Sequence, residues 1–223
     1  MIKAVIFDFD GTLSNRKANA YYLFKDYFRP FFKDFNEDEY EAVLQDMVTY
    51  DCNGTIRVSY RLIPFIHKYG KYFSEEDGKI FDKWYYDHMG EYAVLKPETL
   101  DVLNELKGKY KLGLITNGVS STQHSKIKQT KIEDYFDEII VSGDLDDIAK
   151  PDKRIFEIMA DKLGLKPEEC VYVGDVFASD VIGAIRANMV PIWLMTDKER
   201  PSSYKGLRIL DINELPELLK TLN

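Results

Sequence analysis

The run Ala4-Val5-Ile6-Phe7-Asp8-Phe9-Asp10-Gly11-Thr12 decides how the rest of this chain is read. Its four apolar residues form a short strand that ends in two carboxylates spaced two apart, so Asp8 and Asp10 can face the same side. In open parallel sheets the crevice beyond the carboxyl ends of the strands is where ligands bind. The acids therefore stand where chemistry is expected.

Outward from this strand, the pattern from about Val94 onward alternates helix and strand. Residues 97–107 carry Leu100, Leu103 and Leu106 at helical spacing, stop near Gly108 and lead into the strand 112–115. A strand at 139–141 precedes a helix bearing Ile155, Ile158, Met159 and Leu163 that stops at Gly164. A strand at 171–173, a helix over 179–188, a strand at 191–195 and a closing strand and helix within 207–222 complete the series. Short continuous apolar strands between amphipathic helices predict an α/β fold, a doubly wound parallel sheet with a Rossmann-like core.

Residues 14–93 break this rhythm. They are rich in aromatics (Tyr21, Tyr22, Phe24, Tyr27, Phe28, Phe31, Phe32 and Phe35) with helical periodicity and few strand-like runs. The expectation is an inserted helical cap over 14–93, with 1–13 and 94–223 forming the α/β core and hinges near 13–17 and 93–96. The aromatics read as helix-packing core. Arg57 and Arg61, four apart, read as a solvated face in preference to a helical patch that selects an anionic group, and His67, His88 and His124 lack metal-ligand spacing.

Three further motifs fall at later strand or loop exits: Thr116-Asn117-Gly118, Lys150-Pro151, and Gly174-Asp175 followed by Asp180. Each alone is ordinary, since Asp-Gly and Asn-Gly favour turns and Pro151 suits a helix start. Four such accidents at successive exits are a poor explanation. If the strands bearing Asp8 and Asp175 are neighbours, acids crowd one crevice and need a cation. Mg2+ suits an oxygen-liganded site of that kind. A carboxylate attacking a phosphate needs positive charge and oriented donors first. Lys150 supplies the charge; the Thr116 hydroxyl and the amides of Asn117 and Gly118 supply the donors. Gly11 and Gly118, without Cβ atoms, let the backbone approach a phosphate. Asp10 is placed to protonate the leaving oxygen and then take a proton from water.

Together these motifs resemble those of the haloacid dehalogenase-like hydrolase superfamily, in particular a phosphatase with a helical cap inserted after the first strand. The resemblance implies Asp8 as nucleophile and metal ligand, Asp10 as acid/base with its backbone carbonyl on the metal, and Asp175 as a further metal ligand. It also implies phosphate contacts from Thr116 and Asn117, a stabilising cation in Lys150, and an orienting carboxylate in Asp180. One departure is Ser179, where close relatives often have asparagine.

Composition narrows the reading further. With 45% hydrophobic and 30% charged residues the chain is ordinary for a globular protein. Its net charge of −8 repels polyphosphates, so nucleic acid is not an expected partner. No apolar run reaches the ~20 residues of a membrane span, and the start runs directly into a strand, so a cytoplasmic location is expected. Cys52 and Cys170 have no partners for a zinc site, and Cys170 reads as buried.

The expected function is Mg2+-dependent hydrolysis of a small phosphorylated metabolite, a nucleoside monophosphate or sugar phosphate, through an aspartyl-phosphate. A phosphomutase or phosphonate hydrolase of the same superfamily, or a non-catalytic metabolite-binding protein, are the competing readings. Monomer and homodimer are equally compatible with the pattern.

Overall fold

The computed structural model describes residues 1–222 apart from Thr55 and the side chain of Asn53. Six parallel strands form one sheet: β1 (Ala4–Phe7), β2 (Lys111–Thr116), β3 (Glu138–Val141), β4 (Cys170–Gly174), β5 (Val190–Leu194) and β6 (Arg208–Ile209), in the order β3-β2-β1-β4-β5-β6. β1 is central, with Phe7 in register with Leu114 of β2 on one side and Val173 of β4 on the other. The strand order reverses beside β1, and that switch point is where such a sheet opens a crevice.

Alternation along the strands sorts the core into two layers. Val5, Phe7, Leu112, Leu114, Val171 and Val173 face one way, with Val102, Leu103 and Leu106 of α5 (Thr99–Leu106) and Leu215 and Leu219 of α9 (Leu215–Lys220). Ala4, Ile6, Ile115 and Tyr172 face the other, with Ile155, Phe156 and Met159 of α7 (Lys153–Leu163) and Ala184 of α8 (Ile182–Arg186). All four residues of β1 are fully buried, as a strand covered on both faces requires. The helix expected over 179–188 is shorter: a π turn over Phe177–Val181 comes first and α8 follows.

Between β1 and α5 the described residues form four helices, α1 (Arg16–Phe28), α2 (Glu37–Tyr50), α3 (Val58–Tyr69) and α4 (Glu75–His88), with short 3-10 turns. They enclose an apolar core of their own that includes Phe24, Phe28, Phe32, Phe65, Phe73 and Phe81. Edge-to-face pairs such as Phe28 with Phe73, centroids 5.1 Å apart, give this core its packing. Asn36 and Ser74 start α2 and α4 with reciprocal capping boxes to Glu39 and Asp77. The two connections to the sheet run side by side. Asn15 N–H donates to Val94 O at 2.9 Å, Lys96 N–H donates to Leu13 O at 2.9 Å, and the Asn19 side chain accepts from Val94 N–H at 2.9 Å.

One helix joins the two regions. α6 (Ser120–Thr130), which follows β2, meets the segment Met89–Tyr92 that ends the inserted helices. Thr122 Oγ1 donates to Tyr86 O at 2.7 Å, and Gly90 sits so close to Ser125 that a Cβ would overlap its hydroxyl. Among the described residues no helix is long and apolar enough to cross a membrane.

Candidate active site

Because β1 and β4 are hydrogen-bonded neighbours, the residues leaving them converge. Asp8, Asp175 and Asp180 each offer a carboxylate oxygen, all within 4.8 Å of one another. Two glycines permit this crowding. Gly11, at φ +92°, lies against the Asp175 carboxylate, and Gly174 lies against that of Asp180; a Cβ at either would overlap it. The π turn brings Asp180 back over β4, where its Oδ2 accepts from Val176 N–H at 2.8 Å.

Lys150 crosses the base of this cluster. Its Nζ, nearly inaccessible, donates to Asp8 Oδ1 at 2.6 Å, Asp180 Oδ1 at 2.7 Å and the Tyr172 hydroxyl at 2.9 Å. Asn117 fixes the lysine's backbone, its Nδ2 donating to Lys150 O and its Oδ1 accepting from Lys150 N–H, both at 2.9 Å. Burial raises the proton affinity of Asp8, Lys150 opposes that, and Asp180 and Asp175 add to it, leaving the carboxyl pushed up to about 8. Asp175 is pushed up to about 6, first by burial and then by Asp180.

These observations test whether a divalent cation fits. Both oxygens of Asp180 are engaged, whereas Asp8 Oδ2 is buried with no partner among the described residues. A buried, unpartnered carboxylate oxygen beside a second acid is costly unless a cation takes it up. The donor set is all oxygen, which matches a hard ion. The residues fit, with Asp8 and Asp175 holding the available oxygens.

Asp10 occupies a different environment from its neighbour. Its side chain accepts from Lys126 Nζ at 2.7 Å and Gln123 Nε2 at 3.1 Å, with Ser14 Oγ at 3.4 Å. Burial pushes its carboxyl up, but Lys126 and then Arg16 outweigh this and hold it below the usual carboxylate range. Gln123 also donates to the Thr116 hydroxyl oxygen. Two carboxylates two residues apart thus sit in different surroundings, Asp8 among acids and Asp10 against Lys126 and Gln123.

Of the nine residues singled out from the sequence, seven line one cavity of about 360 Å³: Asp8, Asp10, Thr116, Asn117, Gly118, Lys150 and Asp180. Gly11 and Asp175 pack against one another beside it. Gly11, expected to let the backbone approach a phosphate, has its N–H donating to Ser14 O at 3.2 Å. The Gly118 N–H likewise donates to Ser142 Oγ at 3.1 Å. Ser179 lines the cavity, and its hydroxyl donates to Val176 O at 3.4 Å.

Sequence reasoning passed over Gln123 and Lys126, although their spacing of three on α6 puts them on one helical face just after Thr116-Asn117-Gly118. It also misplaced Arg61, which is 4% exposed rather than solvated. Arg61 and Arg16 both line the cavity. The aromatics of α1 line none of it; Tyr85 and Tyr86 of α4 do.

The family model described as haloacid dehalogenase-like hydrolase matches residues 2–188. The chain is 29% identical over 220 residues to the pyrimidine 5'-nucleotidase YjjG of Escherichia coli, covering 96% of each chain. It is 31% identical over 227 residues to the glyceraldehyde 3-phosphate phosphatase of Methanopyrus kandleri, covering 97% of this chain and 92% of the other. Its fold matches that of the HAD-hydrolase YfnB from Bacillus subtilis, solved bound to magnesium, with a TM-score of 0.75, 23% identity and 98% of each chain covered.

Proposed function

We propose, for a chain that belongs to the haloacid dehalogenase-like hydrolases, Mg2+-dependent hydrolysis of a small cytoplasmic phosphomonoester of the nucleotide or sugar phosphate class. Phosphatase relatives of nearly full coverage support this reading. The observation that carries it is the unpartnered Asp8 Oδ2 at the switch point, with Asp175 beside it and Asp10 held by Lys126 and Gln123.

In this reading Asp8 attacks phosphorus, the bond from phosphorus to the ester oxygen breaks, and Asp10 gives its proton to the departing alkoxide. Water then attacks the aspartyl-phosphate, Asp10 takes the water's proton, and the phosphorus–Asp8 bond breaks to release inorganic phosphate. Asp10 is ionised at rest; as the substrate's phosphate enters and raises its affinity for a proton, it takes one from solvent, and that is the proton it passes to the ester oxygen. Lys126 and Gln123 hold that carboxyl in place through both steps. The Thr116 hydroxyl and the Asn117 backbone N–H bind the phosphoryl oxygens, and Lys150, whose three donors are held by Asp8, Asp180 and Tyr172, offsets their charge. Asp180 keeps Lys150 directed at Asp8. Mg2+ held by Asp8, Asp175 and the Asp10 carbonyl would neutralise the crowded carboxylates so that the phosphate dianion can enter.

Helices α1 to α4, residues 14–93 in this proposal, act as a cap that closes the cavity and excludes bulk water. The direct test is phosphate release from p-nitrophenyl phosphate and a panel of phosphorylated metabolites with Mg2+ and with chelator. Release that is metal-dependent and lost in Asp8→Asn supports the assignment; full activity in that variant rejects it.

A further inference from the structure

Over the acids, the inserted helices bring a second charged cluster to the same cavity, and the phosphoryl chemistry does not use it. Arg16, at the start of α1, and Arg61, on α3, are each 4% exposed. Arg16 Nη2 donates to Asp51 Oδ1 at 3.1 Å and to the Tyr85 hydroxyl at 2.6 Å. Arg61 Nη1 donates to the same Asp51 oxygen at 2.6 Å and to Tyr85 at 3.2 Å, while its Nε donates to Ile56 O at 2.6 Å.

Two guanidiniums therefore share one carboxylate, and the tyrosine adds no charge because burial holds its hydroxyl protonated. Counting the nearby Lys126–Asp10 pair, three cations face two carboxylates. Arg16 Nη1 is buried without a hydrogen-bond partner among the described residues. Gly54 closes over the same guanidinium, where a Cβ would come within 2.9 Å of it. An arginine cannot shed its proton to escape burial, so an excess cation at a cavity wall calls for an anion from outside the chain.

We propose that Arg16 and Arg61 form a binding site for a second oxyanion on the substrate, a carboxylate or a further phosphate, in addition to the phosphoryl group that is removed. This rests on the phosphomonoesterase reading above and narrows its substrate class. The planar guanidinium fork suits either oxyanion. A neutral nucleoside or polyol in the cavity leaves the extra charge unmatched, so plain nucleoside and neutral sugar monophosphates are the poorer substrates. Arg16 and Arg61 line the same cavity as Asp8 and Asp10, so one small substrate can present a phosphoryl group to the acids and a second oxyanion to the guanidiniums.

The test uses the full chain with Mg2+ and two matched pairs: 3-phosphoglycerate against glycerol 3-phosphate, and glucose 1,6-bisphosphate against glucose 6-phosphate. The expected kcat/KM is about tenfold or more higher for the member with the second oxyanion in at least one pair, mostly through KM, and that pair identifies the oxyanion. Arg16→Gln brings the ratio toward one. Arg16→Lys, which keeps the charge without the fork, loses part of the preference and serves if the first variant does not fold. Calorimetric binding of the same four compounds to Asp8→Asn reads the preference without turnover. Parity in both pairs, in turnover and in binding, overturns the proposal and leaves the phosphatase reading standing, as does a full preference retained in Arg16→Gln. An affinity preference with no turnover of any of the four overturns the phosphatase reading and supports the oxyanion site.

Discussion

The two walls of the cavity carry opposite electrostatic imbalances. The floor, built on the sheet edge, sets three carboxylates against Lys150 and is short of positive charge. The roof, built on the inserted helices, sets two guanidiniums against Asp51 and is short of negative charge. A cavity with an acidic floor and a cationic roof suits a metal below and an anion above. The difference shows that reaction type and substrate choice can be written on separate parts of one chain: the floor on residues at strand exits, the roof on helices that have their own apolar core.

The strongest way to break this division is at the floor. Asp8→Asn should lower kcat with p-nitrophenyl phosphate by at least ~10³-fold, with circular dichroism unchanged and the roof intact. Lys126→Met comes next: it strips the charge partner from Asp10 and is expected to lower kcat by ~10²-fold, because general acid/base catalysis contributes about that much.

The imbalance of the floor also predicts a pH dependence of stability in the chelated protein. Asp8 and Asp175 have folded-state affinities for protons raised above the ordinary value, to about 8 and about 6. Their contribution is fully present below pH ~4 and is lost as pH rises through those values. Urea unfolding with chelator should therefore show stability falling by a few kcal/mol between pH ~4 and ~8. Added Mg2+ should offset the loss at the alkaline end. A chelated protein as stable at pH 8 as at pH 5 would show that the floor is less crowded than its distances imply.

The smallest effect sharpens the roof. Arg57 is exposed whereas Arg61, one turn on, is buried in the Asp51 cluster. Arg57→Ala should change thermal stability by no more than ~0.5 kcal/mol and leave the preference between the matched substrates unchanged.

How much of this was legible in the sequence follows from the same division. The floor was, because a strand buried on both faces is a continuous apolar run and its exit is marked by acids and glycines; Asp8, Asp175 and Lys150 meet once β1 and β4 pair. The roof was not. Whether Arg61 is solvated or buried depends on where α3 docks, and helical spacing fixes a face without saying what covers it. Gln123 and Lys126 were hidden for a related reason: a polar pair three apart on a helix reads as surface until the neighbouring acid is in place. The missing Cβ of Gly11 reads in the sequence as room for a phosphate, and in the fold the Asp175 carboxylate lies in that space.

Helix α6 has a consequence for how such a protein can diverge. Over its 11 residues, Gln123 and Lys126 grip the acid/base carboxylate while Thr122 and Ser125 seat the end of the inserted helices. The same rod is thus both a clamp on Asp10 and a docking rail. If Asp10 moves the proton as proposed, remodelling the insertion to admit a new substrate pulls on that residue, and changes of specificity are then constrained to those that leave this rail in register.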